Sequence, residues 1–285
     1  MEAQRTSRRS AAIAAILMLT AKAGHAYAEQ PSPLIAAIQA AGKAQVAIAS
    51  APPYAYMSPN GDPQGYLIDL SKAVLQGLEV EGLAATVTTW DAMIPGLNAK
   101  QFDFIPAGLN ITKARCEVVL FTAPVTAQQD ALYVKPGNPK QLQGYTSVAG
   151  KGDVTLAVLS GSSQEAFARQ SGIQRRQLVI VPDIQAGVAA VLGGRADAFA
   201  VGEFSVPKPE QRGVERIADP ASPLVGIGIV FRKSDMQARD AFDAELAKLR
   251  ANGTMQKLYA GKYGFTNWEV LAGLSKASDL APGCE

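Results

Sequence analysis

The stretch that decides the fold runs from Phe102 to Pro124 and reads FDFIPAGLNITKARCEVVLFTAP. An apolar strand-like run ends in two small residues, Ala107 and Gly108, which let a ligand approach the backbone. A polar turn follows and leads to Arg115, whose planar guanidinium can bind a carboxylate through two parallel hydrogen bonds. Taken alone, the spacing favours an arginine on the solvated surface. Whether Arg115 binds a ligand has to be judged from the other segments of the chain.

Apolar strand-like runs alternate with helical patterns on both sides of this stretch. The alternation predicts an α/β fold with parallel sheets flanked by helices. The predicted strands are 44–49, 85–89, 102–107, 154–159, 178–181 and 196–201. The predicted helices are 68–78, 92–100, 163–171, 184–192, 238–251 and 255–263.

The alternation breaks twice, at the proline- and glycine-rich segment 135–139 and in the irregular segment 207–223. Two crossings of this kind predict a small lobe, residues 134–226, inserted into a larger lobe. The larger lobe is then discontinuous and consists of residues 29–133 plus 227–285. A cleft between two α/β lobes is a natural site for a small molecule.

The first 28 residues have the composition of a cleaved secretory signal. Three arginines precede an apolar run at 11–19, and the small-x-small sequence Ala26-Tyr27-Ala28 comes before Glu29. The alternative is a membrane anchor, but spanning a bilayer takes roughly 20 apolar residues. The segment 1–28 therefore predicts export, and a periplasmic location for the protein.

The charge balance and the histidine count exclude several function classes. Four of the 27 basic and one of the 25 acidic residues lie in the segment 1–28, which leaves 23 basic and 24 acidic residues. Such a chain has no basic excess for nucleic acid. The single histidine, His25, also lies in that segment. Histidine-dependent hydrolase sites and ordinary zinc sites are therefore not expected, and no cofactor or metal is predicted.

The two cysteines, Cys116 and Cys284, are predicted to form a disulfide, because an exported protein matures in an oxidising compartment. Two unpaired thiols are the alternative. The bridge would tie the end of the chain back to its first third.

The segment LSGSSQE, residues 159–165, runs from a predicted strand into a predicted helix. Ser162 and Ser163 at the helix start are explained equally well by simple capping and by an anion site. The anion site would use the free backbone N–H groups and the helix dipole.

Three aromatic residues, Tyr54, Tyr56 and Trp90, stand at the ends of predicted strands. Aromatic side chains there often face a cleft and can enclose a planar or cationic ligand. Packing in the core or at the rim is the alternative for each of them.

Together these segments resemble the amino-acid-type periplasmic solute-binding proteins of ABC importers. The resemblance rests on WDAMIPGL at 90–97, ITKAR at 111–115, GSSQEAFA at 161–168 and GRADA at 194–198, and it covers nearly all of residues 42–265. Each piece is weak, but the ordered set is specific. The resemblance implies a two-lobed periplasmic-binding-protein type II fold with the ligand clamped between the lobes.

The resemblance also implies roles for single residues. Arg115 would hold the ligand carboxylate, helped by Ser163 and the N–H groups around Ser162. Gly108 and Asn110 would add contacts, and aromatic side chains would form the walls. The predicted ligand-binding residues are Tyr54, Tyr56, Trp90, Gly108, Asn110, Arg115, Ser162, Ser163 and Glu203.

A closer similarity is to the ectoine and hydroxyectoine binders, through PYAY at 53–56 and GNP at 137–139. Two positions depart from the family pattern. Gly202 stands where binders of α-amino acids place an aspartate, and Ala51 stands where ectoine binders carry an acidic residue. The positive part of a ligand would then rely on aromatic faces and carbonyls, or on Glu203.

The predicted function is capture of a small carboxylate-bearing zwitterion and its delivery to ABC permease subunits in the inner membrane. The protein would act as a monomer and catalyse no reaction. One alternative is a sensory protein that presents its ligand to a membrane receptor. Another is a dehydratase on the same fold, in which Glu203 would transfer protons.

Overall fold

The computed structural model of the chain describes residues 32–284, so the predicted signal at residues 1–28 lies outside the described residues. The strands are β1 (Lys43–Ile48), β2 (Tyr56–Met57), β3 (Pro63–Gln64), β4 (Gly82–Val87), β5 (Val119–Phe121), β6 (Asp130–Val134), β7 (Leu156–Leu159), β8 (Leu178–Val181), β9 (Ala198–Gly202), β10 (Glu215–Ala218) and β11 (Val230–Arg232). The α-helices are α1 (Pro33–Ala41), α2 (Tyr66–Gly77), α3 (Trp90–Asn98), α4 (Lys113–Cys116), α5 (Tyr145–Ala149), α6 (Ser163–Gln170), α7 (Ile184–Leu192), α8 (Met236–Ala251), α9 (Thr254–Gln256) and α10 (Trp268–Ala272).

The first lobe contains parallel β1 and β4 and antiparallel β5 and β11. The predicted strand 102–107 lies between these pairs but forms only isolated bridges, from Phe104 to Val46 and from Ile105 to Val230. Pro106 follows directly and has no N–H to donate to a ladder, which explains why a regular strand does not form. The segment still lies between the two strand pairs and leads to Gly108, which lines the cavity described below.

The second lobe contains a five-stranded sheet in the order β10-β6-β9-β7-β8. Strands β7, β8 and β9 are parallel and are joined through α6 and α7, as the alternating pattern predicts. Strand β6 runs antiparallel to both of its neighbours, β9 and β10, so the prediction of purely parallel sheets is wrong here. The reason is that β6 enters from the first lobe and β10 leads back to it, without a helical crossover to their neighbours.

Two connecting segments join the lobes and pair with each other. Gln128 and Val225 exchange backbone hydrogen bonds of 2.9 and 2.8 Å, and the Val125 N–H donates to the Ile227 carbonyl at 2.8 Å. Strand β6 begins at Asp130, four residues before the predicted boundary of the small lobe. The lobe boundaries themselves stay a prediction.

The first lobe is held by an aromatic core and by the disulfide. Phe104, Phe231 and Phe242 are fully buried and lie within 4.9–5.6 Å of one another, centroid to centroid. Burying each ring stabilises the fold by about 1.5–3 kcal/mol. Cys116 at the end of α4 is bonded to Cys284, with Cα atoms 5.2 Å apart.

Among residues 32–284, no helix is long and apolar enough to cross a membrane.

Candidate ligand-binding site

One cavity lies between the lobes, next to the ends of β7 and β9 in the second lobe. It contains about 430 Å³ of space between protein atoms, part of which is open to solvent. Seven of the nine predicted ligand-binding residues line it. The lining residues are Ala51, Tyr54, Trp90, Gly108, Asn110, Arg115, Gln128, Leu159, Ser162, Ser163, Gln164, Ile184, Val201, Gly202, Ser205 and Ile227.

Arg115 reaches the cavity from α4, whose start is capped by the Thr112 side chain. Its guanidinium donates from Nη1 to the Asn110 carbonyl at 2.9 Å and from Nη2 to the Gly161 carbonyl at 3.1 Å. These carbonyls belong to different lobes, so the guanidinium joins them. Burial lowers the pKa of Arg115 to about 10, and the group therefore remains cationic at neutral pH.

The start of α6 faces the same cavity. The Ser162 hydroxyl caps the helix by accepting the Glu165 N–H at 3.1 Å, so this side chain serves the helix. The N–H groups of Ser163 and Gln164 stand at the first two helical positions, where a helix offers no internal acceptor. Together with the positive end of the helix dipole, they form a place for an anion.

A chain of side-chain hydrogen bonds runs from the cavity into the second lobe. Asn110 Nδ2 donates to Ser163 Oγ at 2.8 Å, and Ser163 Oγ lies 3.3 Å from Gln164 Oε1. Gln164 Nε2 then donates to Asp130 Oδ1 at 2.7 Å, and the Tyr145 hydroxyl donates to Asp130 Oδ2 at 2.9 Å. Burial raises the pKa of Asp130, whereas the hydrogen bonds from Gln164 and Tyr145 lower it.

The aromatic wall depends on a glycine. Gly108 has a φ of +96°, and a Cβ atom there would lie 3.5 Å from Trp90 Cη2 and 3.9 Å from Tyr54 Cβ. Tyr54 is buried, stacks on Phe265 with centroids 5.4 Å apart and donates its hydroxyl to Gln128 Oε1. Burial raises the pKa of Tyr54 well above its ordinary value, so the hydroxyl is a neutral donor.

Tyr56 does not line the cavity, contrary to the prediction. It lies in β2, half-buried, opposite Gln64 of β3. The prediction placed both tyrosines just after the first strand and expected both to face the cleft. Instead, Ala51 and Ala55 pair across a turn, and the chain changes direction between Tyr54 and Tyr56.

Glu203 also lies outside the cavity. Its Oε1 atom accepts hydrogen bonds from the Gln129 N–H at 3.4 Å and from Asn267 Nδ2 at 3.2 Å. Glu203 follows the last residue of β9, and consecutive strand residues point to opposite faces. Because Gly202 faces the cavity, Glu203 is turned away from it.

Three polar residues of the site were missed from the sequence: Gln128, Gln164 and Ser205. Gln128 fills the space beside Gly202, where an added Cβ would lie 2.5 Å from Gln128 Nε2. No local pattern marks Gln128 or Ser205, because the connecting segments and the end of β9 bring them to the cavity. Gln164 could have been found, since it directly follows Ser163 at the helix start.

The cavity carries a positive charge, which comes from Arg115. Within the part of the chain that the structure describes, Arg115 is the one lining residue that is ionised at neutral pH. The other polar side chains that line the cavity carry hydroxyls or amides. The site therefore offers a positive charge and neutral hydrogen-bonding groups, without a carboxylate.

Residues 45–265 match the bacterial extracellular solute-binding proteins, family 3. The chain belongs to this family. Membership makes the protein a solute-binding protein and not an enzyme, so the dehydratase alternative is set aside. The matched range also agrees closely with the range of the resemblance found in the sequence.

Two curated relatives and one solved structure are similar to this chain. A probable amino-acid ABC transporter periplasmic-binding protein of Sinorhizobium fredii is 29% identical over 246 residues, 82% of this chain and 81% of that protein. The lysine/arginine/ornithine-binding periplasmic protein of Escherichia coli is 30% identical over 224 residues, 74% of this chain and 83% of that protein. The crystal structure of EhuB in complex with hydroxyectoine is 31% identical, with a TM-score of 0.81 over 86% of this chain and 96% of that chain. The predicted two-lobed binding-protein fold is confirmed.

Proposed function

We propose that this family 3 protein captures a small zwitterionic carboxylate in the periplasm and delivers it to the permease subunits of an ABC importer. Ectoine or hydroxyectoine is the proposed ligand. The observation that carries this proposal is Arg115, the single charged side chain among the described residues that line the cavity. Its partners on both lobes make it a clamp that a carboxylate can complete.

The carboxylate would lie between the guanidinium and the start of α6. A buried cation whose pKa is lowered gains from an anionic partner, because the anion compensates for lost hydration. Hydrogen bonds that involve a charged group contribute about 1.5–3 kcal/mol each. The N–H groups of Ser163 and Gln164 add donors that carry no side-chain entropy cost.

The positive part of the ligand favours ectoine over basic amino acids. Lysine or arginine would bring an ammonium or guanidinium group into a cavity without a carboxylate, and an uncompensated buried charge is costly. Ectoine spreads its positive charge over a cyclic amidinium, which the faces of Tyr54 and Trp90 can receive. The similarity to the hydroxyectoine complex of EhuB supports the same choice.

A ligand screen tests the proposal. The exported form of the protein is first screened by thermal shift, and ligands that raise Tm are then measured by calorimetry. The set contains ectoine, hydroxyectoine, proline, histidine, lysine and arginine. We expect ectoine or hydroxyectoine to bind with a Kd of about 1 μM or tighter. Tighter binding of lysine or arginine would contradict the proposed ligand while leaving the binding function intact.

Export is tested separately. The protein is expressed in a Gram-negative host, and the periplasmic fraction is analysed by intact-mass spectrometry. We expect a chain that begins at Glu29, because the small-x-small sequence ends at Ala28. An uncleaved chain retained in the cytoplasm would contradict the proposed location.

A further inference from the structure

The hydrogen-bond chain that ends in the cavity has a fixed starting point. Asp130 is only 4% exposed, and both of its carboxylate oxygens accept hydrogen bonds from neutral donors, Gln164 Nε2 and the Tyr145 hydroxyl. Both oxygens of Asp130 act as acceptors in these bonds. Its neighbours must therefore turn their donors toward it.

The direction of every following bond is then determined. Because the Gln164 amide N–H₂ faces Asp130, its carbonyl oxygen faces Ser163. The Ser163 hydroxyl donates to that oxygen, so the Ser163 oxygen accepts from the next group, the Asn110 amide N–H₂. The Asn110 Oδ1 atom then remains, and it has no hydrogen-bond partner within residues 32–284. Asn110 is only 5% exposed and lines the cavity.

We propose that Asp130 is a positioning residue: it fixes the direction of this chain and so makes Asn110 Oδ1 the acceptor for an N–H group of the ligand. A buried oxygen without a hydrogen-bond partner destabilises the empty site, and a ligand N–H that donates to it removes this cost. This inference rests on the proposed carboxylate site and narrows its ligand class. Asn110 Oδ1 selects carboxylates that carry an N–H and rejects fully N-methylated ones, the betaines.

The position of Arg115 indicates which atom of the ligand carries this N–H. Arg115 Nη1 donates to the carbonyl of the same Asn110 residue at 2.9 Å. The carboxylate clamp and the N–H acceptor are therefore neighbours. A ligand that uses both carries its N–H on the atom bonded to the carboxylate-bearing carbon, as ectoine and α-amino acids do.

The direction of the chain can be measured without any ligand. Neutron diffraction from ligand-free crystals exchanged into D₂O locates the deuterium atoms that X-ray data leave to assignment. We expect a deuteron of Asn110 Nδ2 pointing at Ser163 Oγ and no deuteron on Asp130. A reversed Asn110 amide, or a deuteron on an Asp130 oxygen, would overturn the proposal. This result is independent of whether ectoine is the ligand.

The effect on selectivity is measured by calorimetry with two probes. One is ectoine, and the other is ectoine methylated on the ring nitrogen next to the carboxylate-bearing carbon. We expect the wild-type protein to bind ectoine at least tenfold more tightly. Asp130→Asn and the near-isosteric Asn110→Leu should bring this ratio toward one, since each removes the oriented acceptor.

A purely steric penalty from the methyl group would persist in both variants, so an unchanged ratio in Asp130→Asn and Asn110→Leu would refute the inference. Tyr145→Phe is the matched control. It removes one donor to Asp130 and leaves the carboxylate, so the ratio should stay as in the wild type. If the wild-type protein binds neither probe, the ectoine proposal fails and the neutron result alone decides the direction of the chain.

Discussion

Two groups of residues line the cavity, and they are built differently. The Arg115 group consists of Asn110, Arg115, Ser162 and Ser163. These residues lie at or near the starts of α4 and α6, which are capped by the side chains of Thr112 and Ser162. The Gln128 group (Tyr54, Gln128, Gly202 and Ser205) comes from a turn, a connecting segment and the end of β9. Every member of the first group was predicted from the sequence, whereas Gln128 and Ser205 of the second group reach the cavity only through tertiary contacts. The two groups also differ in charge, because the first contains the cationic Arg115 and the second contains neutral side chains.

The largest expected effect concerns the disulfide that braces α4, the helix of Arg115. Cys284→Ser removes the closure of a 168-residue loop, which on the chain-entropy model lowers the free energy of unfolding by about 5 kcal/mol. Urea unfolding of the oxidised protein and the variant measures the loss. A loss below about 1 kcal/mol would show that the Arg115 group is held without this brace.

The next effect tests the clamp itself. Arg115→Lys keeps the charge but loses the planar fork, so ligand affinity should fall by about 1.5–3 kcal/mol, or roughly 10- to 150-fold. Calorimetry with the best ligand of the screen measures it. Arg169→Lys is the control, because Arg169 forms an exposed ion pair with Glu165 within α6 and does not line the cavity. Equal affinities of wild type and Arg115→Lys would remove Arg115 from the carboxylate site.

A smaller effect is expected when the Gln128 group is given a charge. Gly202→Asp combined with Gln128→Ser places a carboxylate in the cavity and makes room for it. We expect lysine or arginine to bind about tenfold more tightly than to the wild type, or about 1.4 kcal/mol. Gly202→Asp alone is the control, since its Cβ would meet Gln128 Nε2 at 2.5 Å. No gain in the double variant would mean that this group does not face the ligand's positive part.

The smallest expected effect concerns the pH dependence of the protein's stability, through a residue outside both groups. Asp243 on α8 accepts the Ala123 N–H at 2.7 Å, and burial raises the pKa of this carboxyl from 3.8 to about 6. The native state therefore holds the proton more tightly than the unfolded chain. The resulting stability is fully present below about pH 3.8 and is lost as the pH rises through about 6.

Asp243→Asn should flatten this part of the pH profile of stability, while ligand affinity at pH 7 stays unchanged. We expect a difference on the order of 1 kcal/mol, because the Asp243 side chain is 32% exposed and solvent weakens the effect. Urea unfolding at pH 4, 5, 6 and 7 measures it. Parallel profiles of the two proteins would assign the pH dependence to other groups.

The sequence predicted the Arg115 group because its signals are local. Arg115 follows a polar turn, and Ser162 and Ser163 open a helix directly after a strand; spacing alone left their roles open, and the resemblance to the family assigned them to the ligand. The errors have one cause. Tyr56 and Glu203 were placed in the cleft only because each lies near a residue that faces it, Tyr54 and Gly202, and the turn after Tyr54 and the end of β9 direct them elsewhere. Gln128 was missed because nothing within a few residues of it distinguishes it from the adjacent Gln129.

The amino-acid sequence by itself determined the alternation of strands and helices, the family, the pairing of the cysteines and the position of the arginine in the cleft. The alternation follows from hydrophobic periodicity and the cysteine pairing from composition, whereas the family and the place of the arginine follow from the resemblance of the ordered motifs. Only the tertiary structure decided which neutral groups surround the arginine and which way their hydrogen bonds run. That information arises where distant segments meet, because a buried carboxylate at Asp130 orients an amide at Asn110 through contacts that no local pattern contains.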